Sequence, residues 1–253
     1  MMAKWLQGSL PSHPRAIGVI GGFFAAPTPL CLFVANLSGS GSIDPVYGMH
    51  HYIAFLRGIN LGKRRLTMDV LRARFEELKF TGVATFIASG NVVFSSKSAE
   101  AAKLARQIES QLKKKLGYTV DTFLRTREEV AAMAAFRPFS AADFSNPAHT
   151  VYGGFLREPL SPTQATGLLA CRTEVDEFCI AGREYYWLCR IKSNESKVWT
   201  SPGMRALHLP SSSMRNLNTV RKLAALYPSP QQRWGRTRHS PTGDGGSDSI
   251  PST

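Results

Sequence analysis

The sequence is short of the groups from which active sites are usually recognised. Its four cysteines, Cys31, Cys171, Cys179 and Cys189, form no CxxC pair, and no histidine stands at metal-ligand spacing. That argues against a zinc site and against a thioredoxin-type redox motif. Reduced, buried thiols are expected instead, with Cys179 and Cys189 acting as small hydrophobes in adjacent apolar strands. Paired carboxylates, the spaced GxxxxGK[ST] of a phosphate loop and the dinucleotide glycine fingerprint are all missing, so no metal and no cofactor is expected. His50, His51, His149 and His208 have no acid and nucleophile at a spacing that compels a triad. Long apolar runs are lacking too. The nearest, residues 16–34, is interrupted by Pro27 and Pro29 and is too broken to span a bilayer. No membrane partner is expected.

Acidic residues are also scarce: 18 Asp and Glu face 31 Lys and Arg, a net charge of +13. The excess is uneven. Residues 49–140 carry 16 basic and 8 acidic groups, net +8, and residues 141–227 carry 10 and 7, net +3. Such a balance favours anionic partners, either nucleic acid or a small molecule, but an alkaline, solvated surface without a partner has the same composition.

With 43% hydrophobic and 10% aromatic residues, the 253-residue chain can bury a core. Both ends stand apart from that core. Residues 1–48 are poor in charge and rich in Gly, Pro and Ser, and are expected to be a mis-assigned or disordered extension ahead of a start at Met49, the alternative being a targeting segment. Residues 228–253, rich in Pro, Gly, Ser and Thr, are expected to be a disordered tail.

The middle reads as a repeated order of elements. A strand over His50–Leu56 is followed by a helix capped by Thr67, with Met68, Leu71, Phe75 and Leu78 as its apolar stripe and Gly82 as its end. A hairpin follows, joining Val83–Ala88 to Val92–Ser95 around Ser89-Gly90-Asn91. Ser98 is expected to cap a long helix with Leu104, Ile108, Leu112 and Leu116 facing inward, before a strand over Val120–Arg125 and a Thr126-capped helix stopped by Pro138. The second half repeats this with a strand over Thr150–Leu156, a helix opened by Ser161-Pro162, a hairpin about Gly182-Arg183, a helix between Lys197 and Leu207, a strand over Ser212–Arg215 and a helix from Thr219. Phe55-Leu56-Arg57 recurs as Phe155-Leu156-Arg157, and Arg125, Val130 and Met133 are echoed by Arg215, Val220 and Leu223. The predicted fold is α+β: two ferredoxin-like (split βαβ) halves, residues 49–140 and 141–227, packed as one compact unit.

Candidate ligand groups collect at strand ends. Arg57, Gly58, Asn60 and Lys63 occupy a glycine-containing loop that can wrap an anion. Ser89, Gly90 and Asn91 form the hairpin turn. Arg215, Asn216, Asn218 and Thr219 open a helix whose free N–H groups favour negative charge, although one of them must serve as its cap. Ser196 and Lys197 supply a further hydroxyl and cation. Tyr185, Tyr186 and Trp187 offer rings on which bases can stack, although consecutive residues of a strand alternate faces. Three functions fit this pattern: binding of an anionic small molecule or nucleic acid between the halves, an enzyme acting on a phosphorylated or carboxylated metabolite, or motifs that merely lock the halves together.

The run YIAFLRGINLGKRRLTMDVLRARFEELKFTGVATFIASGNVVFSS, the later ESKVW and MRNLNTVRKLAAL together resemble the bacterial domain of unknown function 1697, over residues 49–227. The resemblance implies an α+β fold with a ferredoxin-like first half and a small bacterial cytoplasmic protein. It picks out Arg57, Gly58, Asn60, Ser89, Gly90, Asn91, Ser196, Lys197, Arg215, Asn216, Asn218 and Thr219, and supplies no catalytic role.

Overall fold

The computed structural model describes residues 48–60, 66–87 and 90–229. Lys63, Ser89 and nearly all of the expected N-terminal extension and tail lie outside the described residues.

The first half runs β1 (His50–Arg57), α1 (Met68–Glu76), β2 (Thr81–Phe86), β3 (Asn91–Ser96), α2 (Ala101–Leu116), β4 (Asp121–Thr126) and α3 (Arg127–Ala135). A short helix α4 (Ala141–Ser145), not anticipated from sequence, leads to the second half. That half comprises β5 (Thr150–Phe155), α5 (Pro162–Ala170), β6 (Asp176–Ala181), β7 (Glu184–Cys189), a 3₁₀ turn (Val198–Thr200), α6 (Pro202–Ala206), β8 (Ser213–Asn216) and α7 (Leu217–Leu226). Each half holds a four-stranded antiparallel sheet of the same topology, β2-β3-β1-β4 and β6-β7-β5-β8. The two ferredoxin-like halves are therefore present.

Strand alternation explains how they join. On β1, Tyr52, Ala54 and Leu56 point to a core shared with α1 and α2, whereas Ile53 and Phe55 point the other way, to the second sheet. On β7, Tyr185, Trp187 and Cys189 pack outward toward α5 and α6, while Tyr186 and Leu188 turn inward. The inner faces of both sheets meet in one core, closed at the side by α3 and α7 through Val130, Met133, Val220 and Leu223. At its centre the rings of Phe55 and Phe155 stack, 3.7 Å between centroids and 14° apart.

Several local expectations need correction. Tyr185, Tyr186 and Trp187 are all buried, so none is a surface ring for a base to stack on. Helix α1 ends at Glu76, and the chain turns with Lys79 at φ 64°; Gly82 lies inside β2, at φ 58°, where the register with β3 shifts between Thr81 and Ala84. Helix α2 starts at Ala101 rather than after Ser98, whose hydroxyl accepts from the Glu100 N–H instead. The helix expected between Lys197 and Leu207 is split. Ser201 caps a new start, and Pro202, lacking an N–H to leave unpaired, stands in the first turn of α6. The last helix begins at Leu217 and not Thr219, because the Asn216 side chain accepts from the Asn218 N–H and so caps it.

Candidate functional site

Where β1 and β5 reach their C-terminal ends, the loops that leave them part and open a cavity of about 560 Å³ at the junction of the halves. Its apolar wall includes Leu56, Ile59, Leu156, Leu160, Trp199 and Met204; its polar groups belong to Arg57, Asn60, Tyr185, Ser212, Ser213 and Arg215. Among the described residues lining it there is no aspartate, glutamate or histidine.

Arg57 is exposed and lies across the junction: one Nη donates to the Ser212 carbonyl at 2.9 Å and to Ser211 Oγ at 3.3 Å. Ser211 Oγ in turn donates to Asp121. Asn60 folds its side chain back on the loop, accepting from the Leu66 N–H at 2.8 Å. Arg215 reaches from β8 into the first half. Its Nε donates to Asn91 Oδ1 (2.7 Å), one Nη to Ser213 Oγ and the Met214 carbonyl (2.9 Å each), and the other to the carbonyls of Leu56 (2.8 Å) and Gly90 (3.4 Å). Burial pushes the Arg215 guanidinium down to about 10, because a charged group loses hydration there. Asn91, buried at the start of β3, is oriented by its own donation to the Phe86 carbonyl. Gly90, at φ 76°, has no room for a side chain: a Cβ would stand 2.9 Å from Ile59. Tyr185 shares a hydrogen bond with Ser212 at 2.9 Å, and burial pushes its phenol up against the opposing effects of that bond and of Arg57. The Trp199 indole N–H is buried with no acceptor among the described residues.

A second arrangement repeats this one under the approximate twofold relation between the halves. Arg125 on β4 donates to the carbonyls of Leu124 (2.8 Å) and Leu156 (2.7 Å), as Arg215 does to those of Met214 and Leu56. It also reaches the Arg183 carbonyl, as Arg215 reaches that of Gly90. Each guanidinium stands over the phenylalanine preceding its leucine acceptor, Arg125 over Phe155 at 5.6 Å and Arg215 over Phe55 at 5.9 Å. A smaller cavity of about 250 Å³ lies beside the second set, lined among others by Arg125, Arg157 and Arg183.

The structure thus brings Arg57, Asn60 and Arg215 to one cavity, with Asn91 and Gly90 directly behind Arg215. Ser196, Lys197, Asn216, Asn218 and Thr219 lie elsewhere. Ser196 Oγ donates to buried Asp176 at 2.8 Å, the same carboxylate oxygen that accepts from Trp187 Nε1. Lys197 is exposed at the start of the 3₁₀ turn, and its carbonyl accepts from Thr200. Asn216 is the helix cap, Asn218 is exposed and accepts from Arg221 at 3.2 Å, and Thr219 follows on the same helix away from the cavity wall. Trp199, Tyr185, Ser212 and Ser213 complete the cavity and were not singled out for it from sequence. The Ser211-Ser212-Ser213 run leading into β8 was the available signal.

The protein shows no match among curated proteins. Among solved structures it is similar to the conserved bacterial protein SP0830 from Streptococcus pneumoniae, with a TM-score of 0.55 and 21% identity, covering 70% of this chain and 98% of that one. At that identity the likeness is one of fold. The sequence model of a family described as "Protein of unknown function" matches residues 49–186, more than half of the chain, and the chain accordingly belongs to the DUF1697 family.

Proposed function

We propose that this protein binds a small amphipathic anion, a carboxylate or phosphate monoester carried on an apolar or aromatic body, in the cavity between its halves. The observation that carries this reading is the lining itself, an apolar wall with the cations Arg57 and Arg215 on it and no carboxylate among its described residues. Cavities of this size, mostly apolar with a few convergent polar groups, are the usual form of small-molecule sites. The buried Trp199 N–H adds a donor for an acceptor atom on the ligand, since a buried donor left unmet costs about 1–3 kcal/mol. Burial of the aromatic triplet on β7 speaks against a single-stranded nucleic acid, which needs exposed rings. For the enzymatic reading the described lining provides no carboxylic or imidazole proton carrier, and a phenol pushed up by burial is a poor base near neutrality. We also read the halves as copies of one unit and place the protein in the cytoplasm, which fits its free Cys171, Cys179 and Cys189.

The test is a titration of the full chain with phenyl phosphate and phenylacetate, followed by tryptophan fluorescence, with benzyl alcohol as the neutral comparison. Trp199 on the wall makes occupancy visible, and Trp199→Phe identifies its share of the signal. The anions are expected to saturate the signal at lower concentration than benzyl alcohol. Arg57→Ala should weaken them by about tenfold to a hundredfold, the loss of one charge-assisted hydrogen bond, and leave the melting temperature nearly unchanged because Arg57 is exposed. Equal affinity for the neutral compound, or no effect of Arg57→Ala, would reject the proposal.

A further inference from the structure

The two arginine arrangements match in backbone acceptors and differ in charge. In the second, carboxylates meet the arginines: Glu184 accepts from Arg125 Nε at 2.5 Å, Glu109 and Asp121 accept from Arg157 at 2.6 and 3.3 Å, and Glu129 pairs with Arg183. In the first, the same atoms meet neutral oxygens. Asn91, which begins β3 as Glu184 begins β7, presents an amide oxygen to Arg215 Nε, and Arg57, the counterpart of Arg157, meets a serine hydroxyl and a carbonyl. At Arg215 the hydrogen-bond geometry is kept with an amide in place of a carboxylate, and Arg57 reaches an acid, Asp121, only through Ser211.

We infer that Asn91 is the residue that makes the larger cavity, more than its smaller counterpart, a receptor for anions, by fixing the Arg215 guanidinium with a neutral acceptor where a carboxylate would cancel the field in the cavity. This rests on the function proposed above and adds to it a determinant of ligand charge: cavity walls choose the body, and Asn91, a positioning residue acting through Arg215, permits the negative head. A low-dielectric wall makes the difference large, because one unit charge a few ångströms from the ligand is poorly screened there. The smaller cavity is the internal control. Of its arginines, Arg125, Arg157 and Arg183 are met by protein acids, Glu158 lines it as well, and Arg106 is left as the cation through which it takes an anion more weakly.

The change Asn91→Asp keeps the shape, adds a charge beside Arg215 and removes the donor that meets the Phe86 carbonyl, so it is read against a neutral ligand. In the full-length protein it should weaken phenyl phosphate at least tenfold and leave benzyl alcohol affinity unchanged, a result that a collapsed cavity would not give. Glu184→Gln, which alters the counterpart arrangement, should leave phenyl phosphate affinity in the larger cavity unchanged. A ligand-free measurement follows the introduced charge itself. The introduced carboxylate would lie beside Arg215, so its folded pKa would be depressed; stability gained from the pair is present above the ordinary carboxylate value of about 4 and lost as pH falls through the folded value. Because Asn91→Asp also loses the donation to the Phe86 carbonyl, the readout is the pH trend: its melting temperature relative to the native sequence should be highest near pH 7 and fall further as the medium is acidified. If wild-type protein prefers no anion, the proposed function fails and this inference with it; if it prefers anions and Asn91→Asp leaves that preference unchanged, the inference alone fails. A melting-temperature difference between Asn91→Asp and the native sequence that does not grow in acid, or phenyl phosphate affinity unaffected by Asn91→Asp, would overturn the inference.

Discussion

Replacing Phe55 by alanine tests whether the two sheets are one cooperative body. The ring is fully buried on the inner face of β1, and its main partner, Phe155, belongs to the other half. Truncating a fully buried phenylalanine costs about 3–5 kcal/mol, from lost transfer energy and the cavity left behind. Against a usual total of about 5–15 kcal/mol that is a large share. For a folded body of this size it corresponds to a fall in melting temperature of about 6–20 °C. The stacked geometry adds a separable part. A double-mutant cycle with Phe155→Ala should return a coupling of about 0.5–1.5 kcal/mol for the aromatic pair. The assay is urea unfolding at equilibrium, followed by circular dichroism for both halves and by the fluorescence of Trp187 and Trp199, which lie in the second half, away from the substituted residue. Because Phe55, Phe155, Val130 and Val220 share one core, both signals should shift together. A loss below about 1 kcal/mol, or early melting of the first half with the tryptophan signal unmoved, would refute the reasoning.

Two further outcomes follow from buried polar groups. Ser196→Ala removes one donor from the buried Asp176 carboxylate, which keeps Trp187 and Thr173, and should cost about 1.5–3 kcal/mol in urea unfolding; phenyl phosphate affinity should not change, and a change would return Ser196 to the site. Burial pushes Tyr52 up to about 12, assisted by the Glu129 carboxylate, and also raises Tyr185 and Tyr186. These phenols stay protonated in the fold and ionise once it is lost, so the stability they contribute is complete below about pH 10 and disappears as pH rises through their folded values. Absorbance at 295 nm should show them ionising only together with loss of the circular dichroism signal; ionisation of every tyrosine near pH 10 with the fold intact would contradict this.

Much of the architecture was legible because it rests on short-range patterns. The alternation in His50–Leu56, the stripe of Leu104, Ile108 and Leu112, and the Phe-Leu-Arg repeat each state a local geometry, and the repeat marks the positions related by the approximate twofold. The misreadings have equally local causes. A glycine at positive φ ends helices and also makes bulges, and sequence does not separate the two uses at Gly82. Pro202 breaks a helix from behind but starts one from within. The aromatic triplet on β7 was readable as alternating, yet only packing on both faces of the second sheet buries all of it. For the site, Arg57 and Arg215 could be named because charged residues at strand ends need partners. Trp199 could not, because an indole in a 3₁₀ turn becomes a cavity wall only through the meeting of segments far apart in the chain. Ser196 misled for the opposite reason, its hydroxyl being taken by Asp176, twenty positions earlier.

The face-to-face meeting of the sheets has a consequence for any attempt to work with part of this molecule. A fragment ending before α4 would expose Ile53, Phe55, Val93 and Phe123 as a continuous oily surface while keeping its own outer layer of helices intact. Such a fragment would be poorly soluble and less stable than the whole, and a truncated version would need a substitute lid before it could be handled as a monomer.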